Sequence, residues 1–209
     1  MSHSLETRLR AALADTSDTP PRPLSPLELP FKLEKLLGRA MLKKLKPASV
    51  LVPVLKRPGG LHVLLTRRSE KLRSHKGQIS FPGGRRETSD ASAAAAALRE
   101  AEEEVGIPSS AVEVIGYLDD YPTVTGYLVT PVVSLVDDVK EIRPCAREVA
   151  EVFEVPLPFL IEESNFERKV FTRAGLNVPF FELNHGGYRI WGATAGMLWN
   201  LAQKMGAKR

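Results

Sequence analysis

The sequence predicts an α/β fold in which a mixed β-sheet is sandwiched between helices on both faces. Two observations carry this. Strand-length apolar runs and helix-length amphipathic stretches interleave irregularly, without the repeating period of a βαβ array. The clearest helix, Ser92 to Val105, opens with the alanine run Ala93 to Ala97, which lets it lie close against a sheet.

The elements follow in order. Ser4 to Leu13 reads as a short amphipathic helix with Leu5, Leu9 and Leu13 on one stripe. Thr16 to Pro30 holds five of the 16 prolines and reads as an extended strap rather than a packed element. A second helix is expected over Leu33 to Leu45, then strands at Ser49 to Leu55 and Leu61 to Thr66 around the turn Pro58-Gly59-Gly60. A polar loop from Arg67 to Lys76 leads to a short strand and the rigid turn Phe81-Pro82-Gly83-Gly84. The alanine-rich helix follows Ser89 or Asp90 as candidate N-cap and stops at Gly106, with Pro108 beyond. Further strands are expected at Val112 to Leu118, Tyr127 to Leu135, Glu148 to Phe153 and Lys169 to Phe171. Pro179 to Leu183 and Tyr188 to Trp191 flank the turn Asn184-His185-Gly186-Gly187, and a last helix runs from Ala193 to Met205. Residues 1–30 are read as an N-terminal helix and strap, and 31–209 as the main domain.

Composition excludes several classes. With 43% hydrophobic and 26% charged residues, the chain of 209 is neither disordered nor fibrous. Its one cysteine, Cys145, rules out an internal disulfide framework and a paired-thiolate zinc site, and is read as an inert thiol. No stretch reaches the roughly 20 apolar residues of a membrane helix. Met1 to Asp15 lacks the apolar core of a signal peptide, so the cytoplasm is expected. The net charge of +4 conceals an asymmetry: Lys32 to Lys76 holds 13 basic residues against two acidic, whereas Glu87 to Glu104 holds six carboxylates against Arg99 alone. This suits either a nucleic-acid surface beside a solvated helix, or an anionic substrate beside a carboxylate-bound cation.

The acidic run breaks a local rule. Glu100, Glu103 and Glu104 share one helical face, where like charges cost about 0.2–0.5 kcal/mol per pair, and they lie near the helix C-terminus, where the dipole disfavours anions. The plain reading is a solvated acidic face. Against it, Gly84 offers an unobstructed backbone carbonyl just upstream, and Arg99 is placed to pin Glu103 at i+4. A hard divalent cation resolves such a cluster by taking one or two carboxylates plus phosphate oxygens.

Gly84 to Ile107 resembles the Nudix box, a Gly followed by spaced Glu and an Arg-Glu-apolar-x-Glu-Glu-x-Gly-apolar run. Arg99-Glu100-Ala101-Glu102-Glu103-Glu104-Val105-Gly106-Ile107 matches the second half throughout. In the first half Asp90 stands where the box has Glu, with eight residues rather than seven before Arg99, and a helix-capping role suits it as well. The run Leu64-Leu65-Thr66-Arg67-Arg68-Ser69, with Arg73, Gly77 and Phe81-Pro82-Gly83-Gly84 at fixed spacings, resembles the motif of the coenzyme A pyrophosphatase subgroup, which shows the same variation in the box. The likeness extends over roughly residues 50 to 200.

The resemblance implies the Nudix fold and hydrolysis of the pyrophosphate of coenzyme A, or of its derivatives, to 3′,5′-ADP and 4′-phosphopantetheine with Mg²⁺ or Mn²⁺. It implies Glu100, Glu103, Glu104 and the Gly84 carbonyl as metal ligands, and Arg99 as the residue that orients them. One glutamate, taken to be Glu103, acts in catalysis through water. Arg68 and Arg73 are the candidates for substrate phosphates, whereas Lys71 and Lys76 read as surface cations. Glu148 is the first choice for general base and Glu151 the second. Phe81 and Pro82 are expected to stiffen the glycine turn, and Asp119-Asp120-Tyr121-Pro122 to touch pantetheine or adenine. His3, His62, His75 and His185 lack ligand spacing. A homodimer is allowed and no membrane partner is expected. The alternatives are the same chemistry on ADP-ribose or NADH, and RNA binding or decapping through the 32–76 block.

Overall fold

The computed structural model describes residues 2–20, 22–25, 44–72, 75–137, 141–173 and 176–206. The helix expected over Leu33 to Leu45 lies outside them apart from Lys44 and Leu45, which form a turn, and Arg73 lies outside them too.

The central strand is β1, Lys46–Arg57. It runs parallel to β7, Tyr127–Val136, from Lys46 opposite Tyr127 to Leu55 opposite Val136. Its other edge is shared. Ala48 to Val50 pair with β4, Gly83–Arg85, and Val54 to Arg57 with β2, Gly60–Arg68, both antiparallel. Pro53 falls between these two pairings. Leu51 N–H points to that edge and reaches Pro82 O at 2.9 Å, so the proline two residues on removes no ladder hydrogen bond. From β2 the sheet continues to β3, Ile79–Ser80, and β8, Val149–Pro156; from β7 it continues to β5, Val112–Tyr117, and β6, Tyr121–Pro122.

Both faces of β1 are buried, so its apolar residues divide by parity. Val52 and Val54 face one side with Val63, Val133 and Leu135, covered by Leu9 and Leu13 of α1, Ser2–Leu13, and by Leu198, Leu201 and Met205 of α4, Ala193–Gly206. Leu51 and Leu55 face the other with Leu64, Val132 and Val136, under Ala97, Ala101 and Val105 of α2, Ala93–Val105. This is the expected mixed sheet between helices.

Two features differ from the sequence reading. After the single turn α3, Leu157–Leu160, the chain forms a separate antiparallel sheet of β9, Glu167–Arg173, β10, Leu176–His185, and β11, Tyr188–Trp191. Gly186 and Gly187, with φ of 57° and 84°, close its β10–β11 hairpin in the two-residue geometry that needs positive φ twice. Phe181 on its inner face stacks on Trp199 of α4 at 4.5 Å. On its outer face Glu182 is 4% exposed and held by Lys169 Nζ at 2.6 Å and Arg189 Nε at 2.7 Å, which keep it at about 2. A carboxylate depressed in the folded state adds stability above its unfolded pKa and loses it as pH falls toward the folded value. The melting temperature is therefore expected to fall between about pH 4.5 and 2, and to fall less over that window in Glu182→Gln.

The described residues of the proline-rich strap, 16–20 and 22–25, lie without helix and are tied down. Leu24 bridges Asp120, Ser25 N–H donates to Asp120 O at 2.9 Å, and Asp120 N–H donates to Pro23 O at 2.8 Å. Arg22 closes both oxygens of Asp120 at 2.9 and 3.0 Å and also donates to Thr130 Oγ1, which itself donates to Asp120 at 2.8 Å. Asp120 is thus the partner of the strap.

Candidate active site

The site forms where β4 passes under the end of α2. Ser92 caps the helix, its hydroxyl accepting Ala95 N–H at 3.0 Å, and Gly106 ends it in the left-handed conformation at φ 70°. The cap is thus neither Ser89 nor Asp90. The buried stripe of α2 runs through Ala93, Ala96, Ala97, Ala101, Glu104 and Val105, so Glu104 occupies a position where the pattern calls for an apolar side chain. The Ala93 to Ala97 run brings the helix axis close to β1 and lets that glutamate reach β4.

Glu104 is 3% exposed, and its Oε2 accepts Gly83 N–H at 3.1 Å. Burial pushes it up to about 7, against the pull of Gly83 N–H and the Arg68 guanidinium. Glu100 packs against Gly84, where a Cβ would come within 2.6 Å of its carboxylate. Burial raises Glu100 as well, opposed by Arg99. Glu148 lies near enough to repel both glutamates. Its main chain is fixed by Ser69 N–H to Glu148 O at 2.8 Å and Glu148 N–H to Cys145 O at 2.9 Å, just ahead of β8.

Arg99 ties the cluster together. It closes on Asp90 with Nε and Nη2 at 3.0 and 3.1 Å, reaches Glu100 Oε1 with Nη1 at 3.0 Å, and touches Glu103 Oε2 at 3.3 Å. Asp90, whose other contact accepts Glu87 N–H at 2.7 Å, is held below the usual carboxylate range by that guanidinium. Asp90 is therefore the anchor of Arg99, a role that no helical spacing announces.

Gly84, Arg99, Glu100, Glu104, Arg68 and Glu148 are thus brought together. Glu103 stands at the rim, 61% exposed. Glu151 is drawn away: it binds Arg67 Nε at 3.0 Å and accepts from Tyr188 Oη at 2.6 Å. Arg67 shares the parity of Val63 and Leu65, facing away from α2, whereas Arg68 shares that of Leu64, toward it. Within the basic block, Lys56, Arg57 and Arg67 are matched to Asp137, Glu154 and Glu151, so these cations do not form an open polyanion surface.

Among the described residues no three His, Cys, Asp or Glu side chains are already gathered as a metal cage. The donor set instead suits an ion that takes one or two carboxylates and completes its shell from water and phosphate. Buried Glu104 and partly buried Glu100 flank a glycine turn in which the missing Cβ of Gly84 leaves room for the Glu100 carboxylate beside its main chain. Gly84→Ala is expected to cut turnover by about 100-fold through displacement of Glu100. Because the obstructed atoms belong to a flexible side chain, the melting temperature should move little; kinetics and thermal unfolding read the two effects.

The NUDIX domain family profile matches residues 45–174, which contain this site. The chain belongs to the Nudix hydrolase family. As a member it is an enzyme acting on phosphoric anhydrides, in a family that uses divalent metal ions and binds small nucleotide substrates. It is 46% identical over 164 residues, covering 78% of this chain and 84% of the relative, to the uncharacterized Nudix hydrolase NudL of Escherichia coli K12. The NudL of Shigella boydii serotype 18 matches to the same extent, at 46% identity. Among solved structures, a Caenorhabditis elegans Ap4A hydrolase binary complex aligns with a TM-score of 0.47 at 19% identity, over 53% of this chain and 80% of that one. The NUDIX domain of Shewanella oneidensis NrtR complexed with ADP ribose aligns at 0.44 and 19%, over 64% and 88%. Among the described residues, no helix is long and apolar enough to cross a membrane.

Proposed function

We propose that this Nudix hydrolase cleaves the pyrophosphate of coenzyme A, and of related CoA compounds, to 3′,5′-ADP and 4′-phosphopantetheine using Mg²⁺ or Mn²⁺. The observation that supports it most is the position of Arg68. This arginine of the 64–84 motif reaches the carboxylate cluster, its Nη1 3.6 Å from Glu104 Oε1, with a buried Nε that has no acceptor among the described residues. Such a donor beside the buried Glu104 carboxylate suits a phosphate oxygen better than a structural contact.

In this reading Glu100, Glu104 and the Gly84 carbonyl hold the ion, with Glu103 completing the set from the rim. When bound, the ion neutralises charge on the phosphoryl oxygens and readies water for attack. Arg99, anchored by Asp90, fixes the rotamers of Glu100 and Glu103. Gly83 N–H fixes that of Glu104. Glu148 accepts the proton of the attacking water, and Arg68 and Arg73 orient the phosphates. A lone cysteine suits the reducing cytoplasm, where we place the activity.

Side-by-side kinetics on CoA, ADP-ribose and NADH test the substrate. The reading expects kcat/KM for CoA to exceed the others by at least about tenfold. Faster cleavage of ADP-ribose than of CoA contradicts it.

A further inference from the structure

Among the described residues, Arg68 differs from the other guanidinium groups at carboxylates. Arg99 closes a two-bonded fork on Asp90, and Arg22 does so on Asp120. Arg68 closes none. At 3.6 Å its Nη1 is near Glu104 by charge, outside hydrogen-bond distance, and its buried Nε is unmet among the described residues. The facing carboxylate is already oriented by Gly83 N–H through its other oxygen. The main chain of Arg68 is pinned, its N–H on Gln78 O at 2.9 Å and its C=O accepting Gly77 N–H at 3.1 Å, so any movement belongs to the side chain.

We infer that Arg68 is the resident counter-ion of Glu104 in the metal-free chain, and that a divalent cation displaces it onto a substrate phosphate, coupling metal and polyphosphate binding through one side chain. The inference rests on the metal role proposed for Glu104. The free oxygen of Glu104 cannot serve a guanidinium and a divalent ion together, because the two cations repel across a poorly solvated carboxylate. Once displaced, the guanidinium carries an open Nε and Nη fork, which matches two oxygens of a phosphate. Binding linkage is reciprocal, so the metal raises affinity for the polyphosphate and the polyphosphate raises affinity for the metal. Arg68 thereby offsets the charge of Glu104 when the site is empty and favours filling both halves at once.

Calorimetric titration with Mg²⁺ alone, and with ADP at saturating Mg²⁺, tests this on the full chain and on Arg68→Gln. Removal of the competing cation is expected to tighten Mg²⁺ binding at least about fivefold, while ADP binding weakens. A Mg²⁺ affinity that is unchanged or weaker in Arg68→Gln overturns the inference. Arg68→Lys carries the test if the glutamine variant does not fold: it keeps the charge but not the fork, so the Mg²⁺–ADP coupling should shrink, and coupling equal to the wild type is the contrary result. A wild-type chain that binds no divalent cation would instead refute the metal reading of Glu104, a separate outcome from failed coupling.

Discussion

Glu104→Gln is expected to lower turnover by about 100- to 1000-fold, the range for losing one transition-state electrostatic contact, while the chain remains folded. The amide retains an oxygen for Gly83 N–H, which now meets Glu104 at 3.1 Å, so the link between α2 and β4 survives. What disappears is a negative charge at a position 3% exposed. Since burial disfavours that charge, the melting temperature at pH 8 should stay level or rise. Glu102 lies on the exposed side of α2, where it accepts from Ser109 Oγ at 3.1 Å, and Glu102→Gln serves as the control expected to keep near-normal activity. Near-normal turnover of Glu104→Gln at saturating Mg²⁺ contradicts the role given to Glu104.

Asp120→Ala is the change expected to cost the most stability, about 3 kcal/mol, because it takes the two-bonded carboxylate from a buried guanidinium and leaves Asp18, at 3.8 Å, as its remaining counter-ion. Arg22 is 9% exposed and Asp120 6%, and the pair is bonded twice. For a chain of this length the loss corresponds to a fall of roughly 10 °C in melting temperature, read by calorimetry. Replacing both partners, as Arg22→Met with Asp120→Leu, should recover much of it, since an apolar pair of similar volume substitutes well for a buried ion pair. An Asp120→Ala chain of unchanged stability but raised KM for CoA would restore the reading of this turn as a substrate contact.

These two residues mark where the sequence is legible and where it is not. Glu104 could be read because it breaks a local rule: its position follows from helical spacing, and the helix itself is bounded by Gly106 and filled by alanines. Local periodicity also carries β1, whose alternate residues fill two different cores. The partnership of Arg22 with Asp120 joins positions 98 apart in the chain, and no spacing rule reports it. The same holds for Asp90 with Arg99, which closes across a loop rather than along a helix. The outer strand β9, Glu-Arg-Lys-Val-Phe-Thr-Arg, has too little alternation to show that it belongs to a second sheet; the paired charges on Glu182 and the two-glycine hairpin that place it there are tertiary. Arg68 is legible as a phosphate candidate from its place in the motif of residues 64–84, but its unmet Nε is visible only once α2 and β2 are packed on one face.

The most direct test of the whole account is chromatographic analysis of coenzyme A incubated with the purified chain, with and without Mg²⁺ or Mn²⁺. The account predicts 3′,5′-ADP and 4′-phosphopantetheine as the products, formed only when the metal is present. Intact coenzyme A in the presence of metal, or the same products after complete chelation, would contradict it.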